Sequence, residues 1–113
     1  MNYVPKPQDI IWIYFQPSKG EEIYGRHPAV VISIPGYSII TGLVAVSPIT
    51  HAKHNRLKQF FIPINAGKIN GYINALQFYT FSIKWRNVEP TGLIIPDQTF
   101  YQVIKTHTEI IDY

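Results

Sequence analysis

The apolar positions fall into short runs, each closed by a cluster of turn formers. Asp9 to Phe15 (DIIWIYF) is dense in β-branched and aromatic residues and stops at Gln16 to Gly20 (QPSKG), the composition of a strand and its turn. Its apolar side chains occupy both faces, which predicts a strand inside a small closed sheet, or one whose second face meets another subunit. Ala29 to Ile34 predicts the next strand, entered through Pro28, whose fixed φ and missing donor suit a first strand residue. Gly42 to Ser47 and Phe60 to Pro63 predict a third and a fourth, with Thr41-Gly42 and Asn65 to Gly67 as turns. Asn70-Gly71 carries the strongest hairpin signal and leads into a strand from Tyr72 to Tyr79; Ile83 to Val88 predicts a further short one. After Pro96-Asp97-Gln98 the period changes, and Phe100, Val103, Ile104 and His107 share one stripe of a helix reaching about Ile110. Five or six strands at intervals of roughly eight to twelve residues predict a mainly β fold, a small antiparallel barrel; 113 residues match a single domain, 1–113.

Between Pro28 and His51 no Asp, Glu, Lys or Arg occurs, but Pro35, Gly36, Gly42 and Pro48 interrupt the run and argue against a membrane span. The opening MNYVPKPQDI lacks the apolar core and cleavage site of a signal peptide, so a cytoplasmic protein is expected. Cysteine is absent, which removes disulfides, thiolate metal sites and thiol nucleophiles. His51 and His54 are three apart, yet no third ligand stands at a recognisable spacing, so neither a metal nor another cofactor is expected. Ten Lys and Arg against seven Asp and Glu give a net charge of +3, a weak bias compatible with nucleic acid. Its placement says more: His51, Lys53, His54, Arg56 and Lys58 lie within eight residues, a segment suited to phosphates or to a solvated loop.

A few polar groups offer chemistry beyond solvation. Glu21 and Glu22 follow Gly20 in a loop, Arg26 and His27 close that loop before Pro28, Thr50 ends a strand, and Gln77 interrupts an apolar run. RNA cleavage proceeds without a metal when the ribose 2′-hydroxyl attacks the adjacent phosphorus. It needs a group to take that proton, a group to protonate the leaving 5′-oxygen, and donors for the phosphoryl oxygens. Histidine, with an unperturbed pKa of about 6.5, serves either proton transfer. Arginine brings a fork of donors and threonine a hydroxyl. The same residues also suit plain structural roles: strand entry, a strand end, and a hydrogen-bonded buried amide.

Asp9 to Glu22 (DIIWIYFQPSKGEE), followed by Gly25 to Ser33 (GRHPAVVIS), resembles the N-terminal signature of the MazF/PemK toxins. Ser47 to Thr50 (SPIT), with Lys53 beyond it, resembles that family's second block, and Gly71 with Gln77 six residues on is similar to a third. The three blocks keep their order over roughly residues 7 to 82. The resemblance implies a small SH3-like antiparallel barrel of the MazF/Kid/CcdB type with a C-terminal helix, and a homodimer with an RNA groove across its interface. It implies a metal-independent endoribonuclease of a type II toxin–antitoxin system that cuts single-stranded mRNA and leaves 2′,3′-cyclic phosphate and 5′-hydroxyl ends. Single strands are expected because the attacking oxygen must swing in line, which a rigid A-form helix resists. A cognate antitoxin is the implied partner, with operator DNA met only as a complex with it.

Carried over residue by residue, the family's loop carboxylate falls on Glu22, its phosphate-site threonine on Thr50 and its glutamine on Gln77. The family's catalytic arginine stands immediately before the proline; here that position is His27, and the arginine is one place earlier, at Arg26. A shift of one residue in an extended segment reverses the face of the side chain. Three arrangements follow: His27 in the catalytic pocket with Arg26 reaching phosphate or antitoxin from the loop side, a bulge before Pro28 that turns Arg26 inward, or a barrel kept for binding alone. Leu76 also departs from the family, where an aspartate is frequent. The charge run from His51 to Lys58, with Lys53, His54, Arg56 and Lys58, would guide the RNA backbone, with Asn55 and Gln59 available to bases and Lys19 and Gln77 as further RNA contacts. The alternatives of the same fold are a CcdB-like gyrase-binding toxin using the surface near Ile110 to Tyr113, and a catalytically silent co-repressor that binds the antitoxin.

Overall fold

A computed structural model describes residues 3–15, 26–51 and 56–111. In chain order the elements are β1 (Asp9–Tyr14), β2 (Arg26–Val31), α1 (Pro35–Thr41), β3 (Leu43–Thr50), a 3-10 turn (Lys58–Phe60), β4 (Phe61–Ala66), β5 (Ile69–Asn74), β6 (Tyr79–Ser82), β7 (Glu89–Ile94) and α2 (Asp97–Ile111). All strand pairs are antiparallel, in the order β4-β5-β3-β2-β1-β7, with β6 added on β3. β3 is the branching strand. One edge pairs with β2, while the other pairs with β6 through Leu43 to Val46 and with β5 through Ile49 and Thr50. The sheet therefore curls into a half-open barrel with a C-terminal helix.

The doubly apolar β1 finds a core on each side. Ile10 joins Val30, Ile49, Ile62, Ile69 and Ile73 in the cluster that Ile95 and Val103 complete from the helical end. Ile11 and Ile13 face the other way, into Ala29, Val31, Val44, Val46 and Ile83. Both faces of β1 are thus covered by the chain's own side chains. The N-terminal segment braces the same strand: the Tyr3 hydroxyl donates to Asp9 Oδ2 at 2.6 Å, and Lys6 lies 3.5 Å from Asp9 Oδ1. Burial, with the hydrogen bond and charge of Asp9, pushes the Tyr3 hydroxyl well above the usual tyrosine range. No helix among the described residues is long and apolar enough to cross a membrane.

Several elements differ from the sequence expectation. Asn70-Gly71 is not the turn but lies inside β5, and the hairpin instead turns at Gly67-Lys68, flanked by the pair Ala66 and Ile69. Gly67, at φ +62, supplies the left-handed residue the turn requires. A turn at 70–71 would have cost the buried positions of Ile69 and Ile73, and that burial overrides the local dipeptide preference. The strand expected over 72–79 ends at Asn74, whose side-chain Oδ1 accepts the Leu76 N–H at 3.1 Å, so Gln77 sits in the connection to β6 and not in a strand. Ile83 to Val88 is turn, and the strand there is β7, at Glu89–Ile94. Pro90 is tolerated because β7 pairs only with β1, where a register shift between Ile10 and Ile11 absorbs the extra residues. The short α1 went unforeseen, although Pro35 in its first turn and Gly42 at its end mark it. β2 starts three residues before the expected Ala29, at Arg26, and ends at Val31. β3 runs on from the expected Ser47 to Thr50.

Candidate functional site

Three strand ends meet at one side of the barrel: the start of β2, the end of β3, and the β4–β5 hairpin. They enclose a cavity of about 450 Å³. Trp12, Pro28, Ile49 and Ile69 form its apolar wall; Arg26, His27, Thr50, His51, Lys68 and Asn70 form its polar part. Among the described residues no carboxylate lines it, so the field of those residues favours an anion.

The β1–β2 register runs unbroken from Ile10 opposite Val30 to Tyr14 opposite Arg26, which leaves no bulge before Pro28. Arg26 therefore shares a face with Pro28 and with Trp12. Its guanidinium lies 4.7 Å from the indole centroid, and Nη2 is 3.6 Å from Glu89 Oε1. His27 projects from the other face, where its ring meets Phe15 edge-on at 5.9 Å between centroids. On the next strand Ala29 pairs with Pro48 and Val31 with Val46. Arg26 thus stands on the face that Trp12 and Pro28 give to the cavity wall, while His27 reaches the cavity from the other face of β2 and Thr50 from the end of β3.

Thr50 is fixed by its other neighbour. It pairs with Tyr72 of β5, next to Gly71, which has φ +150. A Cβ on Gly71 would lie 2.6 Å from the Thr50 carbonyl oxygen, closer than real Cβ atoms approach, so the strands meet here only because the residue is glycine.

Of the remaining expected residues, the described ones fall elsewhere. Lys19 and Glu22, like Lys53, His54 and Asn55, lie outside the described residues. Arg56 is exposed in a turn and does not line the cavity. Lys58 opens onto a separate cavity of about 370 Å³, between the 3-10 turn, β4 and α2. The Gln77 side chain accepts from Asn74 Nδ2 at 3.0 Å, and its main-chain oxygen accepts from Ser47 Oγ at 2.9 Å. Since that donation uses the only proton of the serine hydroxyl, the 2.9 Å contact between Ser47 Oγ and His107 Nε2 requires His107 to donate. The ring is then the Nε2–H tautomer, and Nδ1 is buried without a hydrogen-bond partner among the described residues. Burial lowers the His107 pKa from the ordinary histidine value, and the neutral ring ties α2 to β3 three residues before Thr50.

Sequence reasoning missed the cavity roles of Trp12, Lys68 and Asn70. The sequence places Trp12 in a strand and Asn70 in a turn. Only the actual position of the hairpin turn brings Lys68 and Asn70 to the cavity. Among the described residues no group of three His, Asp or Glu is placed to hold a metal ion.

The sequence and the fold have counterparts among known proteins. The family model of PemK-like, MazF-like toxins of type II toxin–antitoxin systems matches residues 6–111, and the chain belongs to that family. It is 29% identical over 109 residues to the endoribonuclease toxin MazF of Escherichia coli (strain K12), covering 96% of this chain and 95% of that protein. The crystal structure of MazF (Form-I) from Deinococcus radiodurans is similar, with a TM-score of 0.83 and 26% identity over 99% of this chain and 100% of that one. A MazE–MazF structure (Form-III) from the same organism matches in fold, with a TM-score of 0.83 and 24% identity over 96% and 97% of the two chains.

Proposed function

We propose that the protein is a metal-independent endoribonuclease toxin that cuts single-stranded mRNA by attack of the ribose 2′-oxygen on the adjacent phosphorus. The bond from phosphorus to the 5′-oxygen breaks, leaving a 2′,3′-cyclic phosphate and a 5′-hydroxyl. The observation that carries this reading is the meeting of Arg26, His27 and Thr50 around one basic cavity. Thr50 donates its hydroxyl to a phosphoryl oxygen, from a backbone position that Gly71 and β5 hold in place. His27, lining the same cavity, moves the proton. Arg26 supplies charge from the wall it shares with Trp12, where the indole and Glu89 hold its guanidinium. Glu22 and Lys19 act from the segment that precedes β2 in sequence; Lys53, His54, Asn55, Arg56, Lys58 and Gln77 act along the flanking RNA. The endoribonuclease name of the Escherichia coli relative supports the same activity. The family's toxin–antitoxin character and the MazE–MazF likeness support a cognate antitoxin as partner. The active form is a homodimer.

The test is to map RNA ends after brief digestion in EDTA by wild type, Arg26→Ala, His27→Gln and Thr50→Val. The expected result is cyclic-phosphate and 5′-hydroxyl ends from wild type and a loss of cutting in the variants. Unchanged rates in His27→Gln would remove His27 from the mechanism. Absence of cuts by wild type overturns the nuclease reading, and gyrase inhibition in that case identifies a protein-binding toxin.

A further inference from the structure

The β4–β5 hairpin brings to the cavity two side chains to which the cleavage reaction assigns no role. Ile69 is buried and anchors the hairpin in the core, with Lys68 and Asn70 directly on either side of it, both exposed and both lining the cavity. Among the described residues neither the Lys68 ammonium nor the Asn70 amide has an ion-pair or hydrogen-bond partner. The same cavity has the apolar wall of Trp12, Pro28, Ile49 and Ile69. A volume of about 450 Å³ is in the range that takes small ligands. An apolar wall, an exposed amide and an exposed cation match the parts of one nucleotide: a base face, a base edge and a phosphate.

We propose that Lys68 and Asn70 form a nucleotide subsite beside the cleaved phosphate. Lys68 binds a neighbouring phosphate, and Asn70 reads the edge of an unpaired base that lies against the apolar wall. The inference rests on the RNA reading above. The two residues have separable effects because their chemistry differs. An ammonium is a point charge that holds any phosphate, whereas an amide presents one donor group and one acceptor and so distinguishes base edges.

The probe is a short labelled RNA spanning a mapped cut, with a 2′-deoxy sugar at the attacking position so that it binds uncut. Its affinity is measured across KCl concentrations, and base frequencies around the cuts are compared in parallel. Lys68→Met is expected to weaken binding of every sequence and to reduce the slope of log affinity against log salt by about 0.7, the share of one phosphate contact on a single strand. Lys84→Met removes the same charge from a different cavity and leaves the slope unchanged. Asn70→Ala keeps the slope but loses about fivefold to a hundredfold of base preference at one position next to the cut. If both variants match wild type in slope and in base preference while wild type cuts RNA, the subsite is overturned and the nuclease stands. If wild type neither binds nor cuts RNA, both readings fall.

Discussion

Gly71→Ala is the substitution through which the structure speaks most directly to activity. The added Cβ would lie 2.6 Å from the Thr50 carbonyl oxygen and 3.3 Å from its carbon, and ordinary contact begins near 3.4 Å, so the two strands must part by about 0.8 Å (3.4 − 2.6). β3 is held by β2 and β6, so it and β5 share the displacement. A reacting group misplaced by about 1 Å costs on the order of 10²-fold in rate, and half of that shift correspondingly less. The expected fall in single-turnover cleavage is therefore between about tenfold and a hundredfold. Strain at φ +150 adds a stability loss of about 1–3 kcal/mol, read by urea unfolding. Gly67→Ala is the matched control in the same hairpin. Its φ is +62, but the nearest atom to the new Cβ is Leu93 Cδ2 at 3.8 Å. It should lose about 1 kcal/mol of stability and keep its cleavage rate. Equal cleavage rates in the two variants would refute the claim that Gly71 sets the place of Thr50.

Buried His107 predicts a pH effect on stability. Its folded pKa is lowered by burial, so between that value and the unfolded value of about 6.5 the unfolded chain binds more protons. Its contribution is complete above about pH 6.5 and is lost as pH falls through the folded pKa, at no more than about 1.4 kcal/mol per unit. The difference in urea stability between wild type and His107→Gln should narrow on acidification, and a constant difference from pH 8 to 5 contradicts it. Ser47→Ala strands the Gln77 carbonyl and the His107 N–H together and should cost about 1–3 kcal/mol, measured by thermal or urea unfolding. Arg86 donates to the carbonyls of Tyr14 and Phe15 and lies 4.5 Å from the Phe81 ring centroid, so Arg86→Met should cost about 1.5–3 kcal/mol in the same assay.

What the sequence made legible follows from the range of the forces involved. β1 and α2 were readable because dense β-branched residues and a helical apolar stripe are local signals, and both elements are close to their expected bounds. β7 was obscured by Pro90 and Gly92, which read as loop until β1 is known to leave them an edge and a register shift. Asn70-Gly71 misled because burial of Ile69 and Ile73 outweighs a dipeptide preference. Arg26, His27 and Thr50 were picked out by residue chemistry and by likeness to a family, but their sharing of one cavity depends on strand pairing across a long sequence separation. Lys68 and Asn70 were beyond reach for the same reason. Their place depends on where the hairpin turns.

The position of Trp12 also gives the molecule a built-in optical reporter. The chain has two tryptophans, and Trp85 is 79% exposed, whereas Trp12 is partly buried beneath the Arg26 guanidinium at the cavity wall. Replacing Trp85 with phenylalanine leaves a single indole whose emission senses what happens to that guanidinium. Occupancy of the pocket then becomes visible in the intrinsic fluorescence of the unlabelled protein.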